Sequence, residues 1–356
     1  MKKRTCSFVL VAMMLLAVIS GCSGNTGGAA QSDQPQPSGD PVSTAPQNQS
    51  DLQVALLLTG YANDAGFCQT SLNGLKKAEE ELGVNIAYSE ALAKPDFEST
   101  MRDYADQGFD LVICAGNEFS DAALAVAPSF PDVKFAIMNG NNAQEPNVAA
   151  YRFNTPEPGF LTGVLAAMFS KSGVVGFVGG TTAPHIKDSA DAFVAGAKYI
   201  NPEVNALVGY TESWTDVAKG KEMGMAFVEQ GADVLSANAD ACSLGVIDAA
   251  KSKDLIYVGY NTDQHELSPD QIPVSVIQSN EFMVYSIIAS VIDGSYTPTL
   301  GLFGMNEGAV SVSSFYDTGD KLTSEETQKL DEIIAGIQDG SLKRQGILPT
   351  SSFEKE

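Results

Sequence analysis

Apolar residues occur along this chain in short runs that alternate with longer amphipathic segments. The run 53–58 is almost continuously apolar and ends in a Thr-Gly pair, which is typical of a strand buried on both faces of a parallel sheet. A helix is predicted after it, with Thr70 or Ser71 as its cap and Gly83 as its end. The same alternation predicts strands at 84–88, 111–114, 134–138 and 148–153 and helices at 96–107 and 121–127. Strand, helix and strand joined by short connections indicate right-handed βαβ units and a parallel sheet.

A second series of the same kind follows a predicted helix, 160–168, that is rich in small residues. Its strands are predicted at 174–178, 206–210, 234–237, 257–260 and 274–278, and its helices at 190–199, 217–230 and 284–293. Two such series predict an α/β protein of two doubly wound, Rossmann-like lobes: 51–153 with about 278–298 as lobe 1, and 154–277 with about 299–350 as lobe 2. Ligands of such sheets bind at the carboxyl ends of the strands, so we expect a cleft between the lobes.

The first 50 residues are unlike the rest of the chain. Basic residues 2–4 precede an apolar, uncharged run, 8–19, which predicts a signal peptide over 1–21 and is too short for a comfortable transmembrane helix. The tetrapeptide Ile19-Ser20-Gly21-Cys22 resembles the lipobox of bacterial lipoprotein precursors, which implies that Cys22 is lipidated. Residues 22–50 have almost no large apolar side chains, so a flexible tether is predicted. We therefore expect a protein anchored by lipid on the outer face of the cell membrane.

Charge and cysteine content exclude several classes of partner. The chain has 44 Asp and Glu against 21 Lys and Arg, a net charge of −23, so it lacks the basic surface that nucleic acids or anionic lipids require. The membrane link then depends on the acyl group. Outside the first 22 residues only Cys68, Cys114 and Cys242 remain, an odd number without CxxC spacing, which predicts core or cleft-wall thiols.

The sequence has no recognisable catalytic motif. Its two histidines, His185 and His265, are far apart, and the zinc, nucleophile-elbow, phosphate-loop and dinucleotide motifs are absent. The glycines of 176–180 could permit close backbone approach of a cofactor at a strand end, but an unsupported glycine cluster is usually a turn. We predict a binding protein with no cofactor and no metal; the alternative is an enzyme that uses paired carboxylates such as Asp64 and Asp240, which are better explained as ligand acceptors.

Polar and aromatic residues follow most of the predicted strands. The predicted ligand-binding residues are Asn63, Asp64, Phe67, Asn117, Phe119, Asn139, Trp214, Asn238, Asp240, Asn261 and Gln278. Aromatic faces can stack on a flat polar molecule while amides and carboxylates bond to its edge. Asn and Asp are also ordinary turn residues, and Phe67 and Phe119 could be core residues, whereas Trp214 has only polar neighbours and is predicted to face the cleft.

Several blocks carry a family resemblance, in order along the chain: 63–67 (Asn-Asp-Ala-Gly-Phe), 151–153, 160–163, 213–220 and 258–264. With these the chain resembles the basic membrane protein family of solute-binding lipoproteins, which includes purine-nucleoside receptors of ABC transporters. The resemblance implies a type I periplasmic-binding-protein fold that closes by a hinge, with an ABC permease and ATPase as partners. It also implies that Phe67 and Trp214 sandwich a purine while Asn63 and Asp64 face its polar edge.

Two departures from the family pattern bear on the ligand. Asn261 stands where the family has an aspartate, and Phe282 stands where it has a lysine. Losing two charged ribose contacts favours a free purine base, or another planar heterocycle, over a nucleoside. A sugar-binding or furanone-binding protein of the same fold is the alternative, as is a sensor in place of a transport receptor. We expect a monomer.

Overall fold

The computed structural model describes residues 50–63, 66–316 and 322–354. The predicted signal peptide, Cys22, nearly all of the predicted tether and Asp64 lie outside the described residues. The described strands are β1 (Gln53–Leu58), β2 (Asn85–Ser89), β3 (Leu111–Ala115), β4 (Lys134–Met138), β5 (Val148–Phe153), β6 (Val174–Gly179), β7 (Asn205–Tyr210), β8 (Val234–Asn238), β9 (Ile256–Tyr257), β10 (Gly259–Asn261), β11 (Ser275–Gln278), β12 (Leu300–Phe303) and β13 (Val310–Val312). The described helices are α1 (Phe67–Leu82), α2 (Phe97–Asp106), α3 (Ser120–Val126), α4 (Pro156–Phe169), α5 (Pro184–Ile200), α6 (Val217–Glu229), α7 (Cys242–Ser252), α8 (Asn280–Ile292), α9 (Ser324–Gln338) and α10 (Ser341–Arg344).

Six parallel strands form the first sheet, in the order β12-β5-β4-β3-β1-β2. Its strand β1 confirms the apolar-run prediction, because its residues serve two different cores. Leu56 and Leu58 belong to the core beneath α1 and α8, whereas Ala55 and Leu57 belong to the core beneath α2 and α3. Successive side chains of a strand point to opposite faces, so a sheet covered on both sides needs an unbroken apolar run. This sheet with α1, α2, α3 and α8 is called the first lobe below.

Two smaller sheets make up the second lobe, together with α4 to α7 and α9. One is parallel, in the order β7-β6-β8-β9, and the other joins β10, β11 and the antiparallel strand β13. The small residues of α4 allow it to lie directly on α5: a Cβ at Gly163 would come within 2.0 Å of the Phe193 carbonyl oxygen. Mixed α/β architecture with parallel sheets was predicted from the sequence and is confirmed.

Within residues 50–63, 66–316 and 322–354 the chain passes between the lobes three times. The passages are β5 to α4 through Asn154 and Thr155, β11 to α8 through Ser279, and β12 to β13 through 304–309. Buried Glu157, in the first turn of α4, joins the first passage to the third. Its Oε1 accepts from Asn154 Nδ2 at 2.7 Å and its Oε2 accepts from the Met305 N–H at 2.6 Å.

Burial raises the pKa of Glu157 to about 7, and the nearby Glu307 charge adds to the effect, while the two hydrogen bonds and Lys343 oppose it. The carboxyl group that connects two hinge passages therefore titrates near neutral pH.

Three sequence predictions need correction here. Strand β12 pairs with β5, so 300–303 lies in the first sheet, although residues from about 299 were predicted in lobe 2. Helix α1 begins at Phe67, and Thr70 and Ser71 bond back into its first turn, to the carbonyls of Gly66 at 2.9 Å and Phe67 at 2.7 Å, in place of capping it. The predicted strand 257–260 is two short strands that belong to different sheets.

Candidate functional site

Four polar residues that follow or end strands have left-handed backbone. They are Asn139 (φ 56°), Glu212 (φ 48°), Asp240 (φ 45°) and Asn261 (φ 71°), at the carboxyl ends of β4, β7, β8 and β10. Such conformations cost free energy and concentrate at functional sites, where the surrounding structure holds them in place. Three of the four were predicted ligand-binding residues, and together they mark strand ends of both lobes as the candidate site.

Trp214 lies in the loop after β7 and is half-buried. Its indole covers Gly180, the residue after β6, so closely that a Cβ at Gly180 would lie 2.4 Å from ring carbons Cε3 and Cζ3. Its carbonyl accepts from the Ala241 N–H at 3.0 Å. The preceding residue, Ser213, donates its N–H to the Gly180 carbonyl at 2.9 Å and accepts from Cys242 Sγ at 3.2 Å. The Trp214 ring thus lies on the backbone at Gly180, which is called its floor below, and part of the ring surface is open to solvent.

An amide pair lies beside this floor. Asn261 donates from Nδ2 to Oδ1 of Asn238 at 3.1 Å, and the Asn238 carbonyl accepts from the Gly180 N–H at 2.9 Å. Asn238 is buried and Asn261 is half-buried. Since an aspartate at 261 could not donate to Asn238, the amide found there suits this pair. The Trp214 indole and the two amide side chains therefore belong to one hydrogen-bonded unit of the second lobe.

In the first lobe the loop after β1 carries Asn63, which is exposed, and leads to Phe67. Phe67 is half-buried and packs against the core beneath α1. The loop is fastened to the residues after β2: the Ala62 N–H donates to Glu90 Oε2 at 2.6 Å and the Ala91 N–H donates to the Gly60 carbonyl at 2.9 Å. These bonds fix residues 60–62 against the chain that follows β2.

The remaining predicted residues divide into exposed and buried ones. Asn117, Asn139 and Asp240 are exposed at strand ends, and Gln278 is half-buried, with an Oε1 that is enclosed and has no hydrogen-bond partner among the described residues. Phe119 is wrong as a ligand-stacking ring. It has no exposed surface, and its ring lies 4.1 Å from that of Phe97 inside the core beneath α2 and α3.

Two residues near the site were missed by sequence reasoning. Gly180 was expected only to turn the chain; a glycine directly after a strand, with a tryptophan after the next strand, was the available signal. Arg152 lies inside β5, is 6% exposed and donates from Nε to the Gly140 carbonyl at 2.6 Å, which braces the loop that carries Asn139. A lone arginine in a strand pattern gave no sign of this role.

Cys68, Cys114 and Cys242 are buried, as predicted for core or cleft-wall thiols. Among residues 50–63, 66–316 and 322–354, no cluster of three His, Cys, Asp or Glu side chains is placed to hold a metal ion. Within the same ranges no helix has both the length and the apolar character needed to cross a membrane.

Comparison with known proteins identifies the family. Residues 52–339 match the model of the Bmp family, described as ABC transporter substrate-binding protein PnrA-like. The chain is 28% identical over 284 residues to a purine-binding protein of Brucella abortus (strain 2308), covering 78% of this chain and 80% of that one. It is 26% identical over 365 residues to the ABC transporter nucleoside-binding protein BmpA of Lactococcus lactis subsp. cremoris, covering 96% and 99%. A solute-binding protein of an ABC transporter system from Aeropyrum pernix K1 has the same fold, with a TM-score of 0.68 at 21% identity over 82% of this chain and 92% of that one.

Proposed function

The chain belongs to the Bmp family of PnrA-like ABC transporter substrate-binding proteins, and from that premise we propose that it is the lipid-anchored receptor of an importer for a purine base or nucleoside. A substrate-binding protein of an ABC transporter is extracytoplasmic and hands its ligand on unchanged, so this protein is not an enzyme.

The observation that carries the ligand assignment is the Trp214 indole, held half-exposed over Gly180 beside the Asn238 and Asn261 amides. A planar heterocycle needs an aromatic face for its ring and amide groups for its edge, and this unit offers both within one lobe. Phe67 at the entry of α1 is the second ring, supplied by the other lobe. The Brucella and Lactococcus relatives, named for purine and nucleoside binding, support the same class of ligand.

Within that class a free base is favoured over a nucleoside. The side-chain N–H of Asn261 already donates a hydrogen bond to Asn238. Phe282, in the position where the family pattern has a lysine, lays its ring against Gly308, where a Cβ would lie 3.0 Å from the Phe282 Cζ atom. It also packs on the core beneath α1. An apolar ring there cannot grip sugar hydroxyls, so recognition rests on the base.

Thermal unfolding of the purified protein against purine bases, nucleosides, pentoses and furanones tests the assignment, because a ligand of the native state raises the midpoint. We expect a selective shift with adenine, guanine or hypoxanthine that is lost in Trp214→Ala and kept in Phe315→Ala, an exposed aromatic of the second lobe. A shift with pentoses or furanones alone would overturn the purine assignment. Nucleosides binding much more tightly than bases in calorimetry would overturn the preference for a free base.

The lipid anchor is tested separately, through Cys22. Metabolic labelling with a fatty acid should mark the wild-type protein and not Cys22→Ser, and the variant should leave the membrane fraction. An unlabelled wild-type protein would contradict the anchor without affecting the ligand assignment.

A further inference from the structure

Residues 351–354 (Ser-Ser-Phe-Glu) run from the second lobe to the first and are called the strap below. The chain that leads into them is fixed in the second lobe, where Leu348 is 3% exposed and belongs to the core around α4 and α5. Ser351 itself has no exposed surface. The strap is therefore a packed part of the structure and not a loose extension.

On the second lobe the strap is bonded to Asp188, in helix α5. The Oδ2 atom of Asp188 accepts from the Ser352 N–H at 2.8 Å, from the Ser352 hydroxyl at 2.8 Å and from the Ser351 hydroxyl at 3.0 Å. Hydrogen bonds to a carboxylate are about twice as strong as those between neutral groups. This anchor joins the strap to the helix that follows the loop of Gly180.

On the first lobe the strap contacts Arg152, in strand β5. The Cζ atom of the Arg152 guanidinium lies 3.5 Å from the centroid of the Phe353 ring, and Arg152 is 6% exposed. A desolvated guanidinium over an aromatic face is a favourable cation–π contact. Arg152 also holds the Gly140 carbonyl, so the contact extends to the loop that carries Asn139.

The last residue of the strap is held as well. Glu354 and Lys343 of α10 form an ion pair, with Nζ 2.5 Å from Oε1. Residues 351–353 thus span the lobes while residue 354 is fixed beside them. This span is a fourth connection between the lobes, and it differs from the three chain passages because it can be released without breaking a covalent bond.

The lobes are seen in an arrangement that leaves the strand ends accessible. Asn63, Asn117 and Asn139 of the first lobe and Asp240 of the second are exposed, as expected of a cleft that has not closed. The strap contacts belong to this arrangement. We propose that residues 351–354 form a releasable strap that favours the open lobes and so sets how much of the binding free energy is used in closure. The inference rests on the proposed function in assuming closure on a ligand.

Two substitutions release the strap from opposite ends: Phe353→Ala on the Arg152 side and Asp188→Ala on the α5 side. Each should tighten binding of the purine found by thermal unfolding, by about three- to tenfold if the free energy of one cation–π contact or charged anchor opposes closure. Because both variants free the same segment, the double variant should bind no more tightly than the tighter single variant. Phe315→Ala is the matched control, since its ring is 44% exposed and stands outside the strap, and its affinity should equal that of wild type.

A measurement without ligand separates this proposal from the proposed function. Spin labels at Tyr88→Cys in the first lobe and Leu244→Cys in the second use two exposed positions, and Cys68, Cys114 and Cys242 are buried. Pulsed electron paramagnetic resonance of the labelled protein should show shorter interlobe distances when Phe353→Ala is added. Unchanged distances would overturn the strap, as would unchanged or weaker ligand affinity in both single variants. If no purine binds, the distances still decide the question of the strap.

Discussion

Replacing Gly180 by alanine should weaken ligand binding by displacing the Trp214 indole, although Gly180 has no side chain of its own to contact the ligand. The added Cβ would lie 2.4 Å from two indole carbons of Trp214, whereas carbon atoms in contact are about 3.5–4.0 Å apart. The Trp214 ring must therefore move away by about 1 Å or more, or lose its contact with Gly180 altogether. Gly180 lies outside the left-handed region, so alanine fits its backbone and the clash falls on the ring.

The size of the effect follows from what the ring contributes. Stacking of a base on an aromatic side chain is worth about 1–3 kcal/mol, which corresponds to about fivefold to 150-fold in affinity. Gly180→Ala should lose most of that amount, and Trp214→Ala should lose all of it. Stability should change little, because Trp214 is half-exposed and can turn toward solvent.

Isothermal titration calorimetry of Gly180→Ala, Trp214→Ala and the double variant measures the loss, with Thr182→Ala as a control at an exposed position of the same loop. If Gly180→Ala weakens binding only by displacing the Trp214 ring, the double variant loses no more affinity than Trp214→Ala alone. The reasoning is refuted if Gly180→Ala binds within twofold of wild type while Trp214→Ala does not, or if the two losses add.

Three further changes test other parts of the structure. Glu157→Gln should remove a pH dependence of the free energy of unfolding. Burial raises the pKa of Glu157 to about 7, so the native state keeps a proton that the unfolded chain loses near pH 4.5. Wild-type stability should therefore fall by up to about 3 kcal/mol as pH rises through that window; urea unfolding at pH 5 and pH 8 measures it, and parallel changes in both proteins would contradict it. Tyr296→Phe leaves the Ala149 N–H without the hydroxyl that accepts it at 3.0 Å and should cost about 1–3 kcal/mol in the same assay, a neutral result meaning that water replaces the hydroxyl. Asn261→Asp removes the donor to Asn238 and should raise nucleoside affinity relative to the base in calorimetry, and an unchanged ratio would count against the base preference.

The regular elements were largely predictable because their patterns are local. The helix expected at 217–230 is α6, Val217–Glu229, and the strand expected at 134–138 is β4. Residues 300–303 were not predicted as a strand and were placed in the wrong lobe, since only the pairing of β12 with β5, about 150 residues earlier, decides its sheet. Periodicity in one sequence carries no information on such a distant partner.

The candidate site was predictable as a set of strand ends and less so as individual side chains. The Trp214 ring lies on Gly180 and Asn261 bonds to Asn238, and their role in ligand binding stays a prediction, whereas Phe119 is core because the 3-10 turn after β3 directs its ring toward Phe97. The floor beneath Trp214 and the span from Asp188 to Arg152 depend on contacts between distant segments. Neither has a signature in local sequence.

The first sheet also has a consequence for how the protein is made. Helix α8 covers α1 and strand β12 completes the edge beside β5, yet both are encoded after the strands of the second lobe. A ribosome that has finished residue 270 has produced five strands of the first sheet without the helix and strand that bury their remaining apolar surface. Such a nascent chain exposes hydrophobic surface until about residue 303 has emerged. Chaperones can bind this exposed surface until residue 303 has emerged. Substitutions in α8 should therefore reduce the yield of folded protein during synthesis, even where the free energy of unfolding of the finished protein changes little.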